Sequence, residues 1–127
     1  MKFLTNRDVI AIHGQVISPN ELQGLAGNKS LDAVLARIGN RMAFGMLDDV
    51  YELAACYACY LAVGQVFNDA NKRTAFACMD ACLVLSGIEL NYDKNEVGDL
   101  IIGAAQRIVD EDELGDWLRI QATQGNS

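Results

Sequence analysis

Two stretches near the middle of the chain are apolar on every side. The first, opened by Asp48-Asp49, carries Val50, Leu53, Ala54, Ala55, Cys56, Tyr57, Cys59, Leu61 and Val63. The second runs from Thr74 to Ser86, is interrupted only by Asp80 and is ended by Gly87. A helix that is apolar all round is buried all round. The pair is therefore expected to form the middle of an all-α bundle, with the polar segment between them closing one end. Their many alanines and cysteines would let the two backbones approach closely.

The flanking sequence is punctuated for helices as well. Thr5-Asn6-Arg7-Asp8 reads as a capped start, and Val9, Ile10, Ile12, His13 and Val16 follow on a broad apolar face to about Val16. Ser18-Pro19-Asn20-Glu21 repeats the capping pattern, but Gly24 and Gly27 come so soon that 18–29 is predicted mostly as loop. Leu31, Val34, Leu35, Ile38 and Met42 obey the i, i+3, i+4 rule and predict a helix from Ser30 to about Phe44. Ile88-Glu89-Leu90 alternates like a scrap of extended chain. Helices are predicted again from about Lys94 to Val109 and from Glu111 to about Gln121, with a frayed tail from about 123. With 127 residues, 51% hydrophobic and 21% charged, the chain is read as one domain over 1–127.

Several function classes fall away on composition. Ten basic against 17 acidic residues, a net charge of −7, argue against an extended surface for nucleic-acid phosphates. The longest unbroken apolar run, Leu53 to Gly64, is well short of the roughly 20 residues that cross a bilayer, so no membrane partner is expected. Arg7 and Asp8 stand where a secretory signal needs an apolar core, which points to the cytoplasm. Cys56, Cys59, Cys78 and Cys82 have spacings that could suit zinc or a disulfide. They sit inside apolar stretches, however, where cysteine acts as a small buried hydrophobe, and no zinc is expected.

Polar chemistry is concentrated in Gly64-Gln65-Val66-Phe67-Asn68-Asp69-Ala70-Asn71-Lys72-Arg73-Thr74. If Asp69 or Ala70 lies near the helix N-cap, the amides of Asn71, Lys72 and Arg73 are unpaired donors backed by the positive end of the helix dipole. The Lys72 and Arg73 side chains add to a site suited to phosphate. Asp69 could cap the turn, or hold a magnesium ion bridging phosphate oxygens. On spacing alone, a surface helix start with two solvated cations is the alternative.

Phe67-Asn68-Asp69-Ala70-Asn71-Lys72-Arg73-Thr74 closely resembles the signature of the Fic/Doc family, His-x-Phe-x-(Asp/Glu)-(Gly/Ala)-Asn-(Gly/Lys)-Arg. The resemblance extends to Ile12-His13, to the glycine-bearing loop around Gly24 and Gly27, and to Ser86-Gly87-Ile88. It implies an all-helical fold in which the motif loop and the next helix N-terminus bind the phosphates of ATP. Ala70 and Lys72 look like the Doc branch, in which lysine fills part of the phosphate cradle and the γ-phosphate, not AMP, is transferred. The chain would then be a protein kinase and the toxin of a toxin–antitoxin module, phosphorylating a hydroxyl of elongation factor Tu, blocking translation and silenced by a cognate antitoxin.

Carried across by residue, the resemblance assigns Mg²⁺ to Asp69, phosphate contact or loop orientation to Asn71, charge stabilisation to Lys72 and Arg73, and a buried anchor to Phe67. Gln65 departs: it falls where the family has its general-base histidine. A carboxamide can hold a hydroxyl but cannot take its proton, so the chain is expected to bind and barely turn over. The intact remainder of the motif argues for replacement of an active histidine over drift to a pseudo-enzyme. Alternative readings are a catalytically dead nucleotide- or partner-binding regulator and an AMP-transferring Fic-type enzyme. His13, on the apolar side of the first helix, reads as structural. The acidic composition suggests an antitoxin tail carrying basic and apolar residues.

Overall fold

The computed structural model describes residues 3–47 and 49–125, with the side chains at 124 and 125 left aside. Six helices follow one another: α1 (Asn6–Val16), α2 (Leu31–Ala43), α3 (Val50–Gly64), α4 (Asn71–Leu85), α5 (Lys94–Ala105) and α6 (Glu111–Gly125). No strand occurs among the described residues; Ile88-Glu89-Leu90, expected as extended chain, lies in irregular backbone.

Local chemistry sets the helix starts. Thr5 and Asp8 close a reciprocal capping box on α1, the Thr5 hydroxyl accepting from the Asp8 amide at 3.2 Å and the Asp8 carboxylate from the Thr5 amide at 2.8 Å. Ser30 caps α2, Asp49 caps α3 and Asp93 caps α5, each through a side-chain oxygen. Asp48, read with Asp49 as the opening of α3, lies outside the described residues. At the other end of the chain, α6 continues to Gly125, past the Gln121 at which the sequence suggests a stop. The expected frayed tail thus falls partly on helix and partly on 126–127, outside the described residues.

α3 is the centre of the bundle. It packs against α2, α4, α5 and α6, and every residue from Leu53 to Cys59 is buried. Its uniformly apolar surface follows from having neighbours on all sides. Gly64 lets α2 come close at the end of α3, since a methyl group there would stand 3.0 Å from Val34 Cγ2. At the opposite end, Arg119 of α6 pairs with both Asp49 and Glu52 and pins the last helix over the start of α3.

α4 corrects the expectation of a second helix buried all round. Its buried residues, Thr74, Ala75, Cys78, Met79, Cys82 and Leu83, form a single stripe that faces α3. Phe76 and Ala77 are only half-buried, and Val84 and Leu85 are 47% and 51% exposed. The cause is a shortage of neighbours. α1 and α5 flank α4 without closing over it, leaving an apolar groove of about 520 Å³ lined by Val16, Phe76, Ala77, Val97, Ile101 and Ile102. Lys72, Arg73 and Lys94 also line the groove.

All four cysteines are free and buried, and desolvation pushes the thiol of each up to about 12. No helix among the described residues is long and apolar enough to cross a membrane.

Candidate nucleotide site

The segment joining α3 to α4 is shaped by two residues in the left-handed region. Gln65 (φ 47°, ψ 49°) ends α3, its amide donating to the Leu61 carbonyl at 3.2 Å. Ala70 (φ 64°, ψ 27°) is the N-cap of α4. The left-handed conformation costs a side-chain-bearing residue on the order of 1–2 kcal/mol, so it persists only where the surroundings impose it. At Ala70 they do. The preceding carbonyl, of Asp69, faces His13 Nε2 at 3.0 Å. Ala70's own carbonyl accepts from the Thr74 amide at 3.0 Å and from the Thr74 hydroxyl at 2.8 Å.

An alanine N-cap has no side-chain oxygen, and no side chain caps α4. The first amides of that helix are therefore left as donors at its positive end. Around them, Gln65, Asn68, Asp69, Asn71, Lys72 and Arg73 line one polar cavity of about 370 Å³. The residues singled out in the sequence are thus brought to one place, with Phe67, 3% exposed, beneath them as the anchor.

Asn71 orients the loop. Its carboxamide oxygen accepts from the Phe67 amide at 3.1 Å and its nitrogen donates to the Phe67 carbonyl at 2.9 Å, so both backbone groups of a buried residue are satisfied by one side chain. What Asn71 can offer a phosphate is its backbone N–H. Asp69 fits a hard cation. Its carboxylate stands on the cavity wall, and its oxygens accept from the Ala70 amide at 3.0 Å and the Leu22 amide at 3.4 Å, leaving lone pairs to spare.

Arg73 does not stand free in solvent. Its guanidinium donates to the Val16 carbonyl at 3.0 Å and pairs with the Glu21 carboxylate. Glu21 also accepts from the Ser18 amide at 2.8 Å, closing the turn that the capping pattern suggested. The bond from Arg73, with help from Ser18, holds the Glu21 carboxyl down to about 2 from its ordinary 4.5. A carboxyl depressed on folding stabilises the folded contact fully above the unfolded value and loses it as pH falls through the folded value. The Glu21–Arg73 pair should therefore persist at pH 4 and dissolve only towards pH 2. A carbon-13 titration of the Glu21 carboxyl reads this directly, and a midpoint near 4.5 would show that the pair does not form in solution.

The loop over 18–29 does more than connect. Leu25 bridges Phe67 in antiparallel fashion, the Ala26 amide donating to the Val66 carbonyl at 2.8 Å and the Asn68 amide to the Gly24 carbonyl at 3.0 Å. Gly24, at φ 86°, supplies the turn. The Asn68 side chain adds a bond to the Gln23 carbonyl at 2.9 Å. Sequence reasoning missed Glu21 as a member of the site; the excess of polar groups in Ser18–Gln23 is the one local hint of it.

The model of the Fic/DOC family matches residues 3–83. The chain belongs to the Fic/DOC family. A Fic/DOC relative, "Protein kinase doc" of Escherichia phage P1, is 32% identical over 120 residues, which cover 94% of each chain. The family match takes in α1 to α3 and α4 as far as Leu83, and hence every residue of the cavity, while α5 and α6 lie beyond it.

Proposed function

We propose that this protein is a Doc-like toxin of a toxin–antitoxin module: a kinase-type Fic/DOC protein that binds ATP with Mg²⁺ and directs the γ-phosphate to a hydroxyl of elongation factor Tu. The observation that carries this reading is the cavity at the uncapped start of α4, which gathers Gln65, Asp69, Lys72 and Arg73. The similarity to a protein named as a kinase supports phosphoryl transfer in particular.

In this reading the chain's own groups divide the work. The amides of Asn71, Lys72 and Arg73 and the Lys72 ammonium bind and orient phosphate oxygens, and with Arg73 they stabilise charge on the transferring group. Asp69 holds the metal, which when bound screens the phosphate charges and fixes their geometry. Gln65, on the cavity wall, accepts a hydrogen bond from the acceptor hydroxyl and positions it, but leaves its proton in place. With glutamine there, the protein binds its substrates and turns them over slowly.

The antitoxin belongs, on the same reading, in the apolar groove over α4. Lys72 and Lys94 line it in a chain whose net charge is −7, beside Arg73 in its pair with Glu21, so the segment that fills it is an amphipathic helix carrying carboxylates opposite Lys72 and Lys94. Local charge thus favours the opposite sign from that suggested by the overall composition.

The test uses Gln65→His protein, elongation factor Tu and ATP labelled at either the α or the γ position. Label arriving from γ alone supports the kinase reading, and label from α assigns AMP transfer instead. ATP binding without transfer of either label would leave a nucleotide-binding regulator.

A further inference from the structure

We infer that His13 is a positioning residue for the motif loop, acting through its Nε2–H on the backbone carbonyl of Asp69. The inference rests on the proposed nucleotide site and adds to it a residue 56 positions away in sequence. His13 is 4% exposed, on the inner face of α1, and touches the loop twice. Its ring stacks on Phe67 with centroids 3.8 Å apart and planes 5° from parallel. Its Nε2 lies 3.0 Å from the Asp69 carbonyl oxygen. A carbonyl can only accept, so Nε2 carries the hydrogen.

That carbonyl is the hinge between the loop and the helix. The Asp69 carbonyl and the Ala70 amide belong to one peptide plane, and Ala70 is the left-handed residue from which α4 departs. The Ala70 amide in turn donates to Asp69 Oδ1. Fixing the carbonyl from the α1 side therefore fixes the plane, the Asp69 carboxylate hydrogen-bonded to it, and the direction in which the free amides of α4 point. Stacking on Phe67 sets the depth of the loop, while the hydrogen bond sets its twist.

The two contacts can be separated with two amides of different reach. Glutamine places a side-chain N–H about where Nε2 stands; asparagine reaches only about as far as Nδ1. Both His13→Gln and His13→Asn lose the ring stack and should share a lowered melting temperature. His13→Gln keeps the donor and should bind Mg·ATP nearly as the unaltered chain does, whereas His13→Asn should bind about tenfold more weakly in calorimetry at a temperature where both are folded. Equal affinities in the two variants would overturn the inference and leave His13 as packing alone. If the unaltered chain itself fails to bind Mg·ATP, the nucleotide reading fails, and the inference is then decided by amide hydrogen exchange in the free protein. Exchange of the hydrogen-bonded amides of Ala70 and Thr74 should quicken in His13→Asn and not in His13→Gln, and equal exchange in the two would overturn it.

Discussion

Replacing Gln65 with histidine is expected to raise phosphoryl transfer by about 10² to 10⁴, the usual contribution of a positioned general base. Nothing in the fold opposes the change. Gln65 is exposed on the cavity wall, and its left-handed backbone is a conformation in which histidine is enriched. The melting temperature should stay within a degree or two. A base also leaves a signature that a better-fitting side chain would not: transfer by Gln65→His protein should climb as pH rises through about 6.5, where imidazole gives up its proton. The Gln65 protein should show no such limb. A gain of only a few-fold, or a gain without the limb, would mean that position 65 does not handle the proton.

Removing the Asn71 carboxamide is expected to be the most damaging single change to the loop. Asn71→Ala leaves the amide and carbonyl of buried Phe67 without partners, at a cost of about 1–3 kcal/mol for each buried group left unsatisfied. The sum, about 2–6 kcal/mol, is a large part of a small domain's stability and should lower the melting temperature by roughly 10 °C or more. ATP affinity should fall with it, because the amides that face the cavity begin with that of Asn71 itself. Asn71→Asp is the sharper control. It keeps the acceptor for the Phe67 amide but turns a carboxylate oxygen towards the Phe67 carbonyl, and it should be no better than alanine. Unchanged stability in both variants would show that the loop holds its shape by other means.

These two residues also show what could be read in the sequence. The α3–loop–α4 core was legible because apolar density on every side of Val50–Val63 has one physical meaning, and because the motif packs its chemistry into consecutive positions. Asn71 was legible as either phosphate ligand or loop support, and only coordinates separate the two, since one carboxamide has hydrogen-bonding capacity for either. The open face of α4 was not legible. From Ala75 to Leu85 its only charged residue is Asp80, and how much of that apolar surface stays open is decided by how many other helices arrive, which no local pattern records. Glu21 on Arg73 and His13 on Asp69 were hidden for a related reason, since each pair joins residues more than 50 positions apart through the packing of α1 on α4.

The groove above α4 has a consequence for the molecule on its own. A bare apolar strip invites a second copy to cover it, and what opposes this at a distance is the mutual repulsion of chains that each carry −7. That repulsion reaches only as far as the ionic atmosphere allows, about 10 Å at 0.1 M salt and about 3 Å at 1 M. Concentrated brine, often added to keep acidic proteins in solution, would here strip away the long-range force that keeps solitary chains apart.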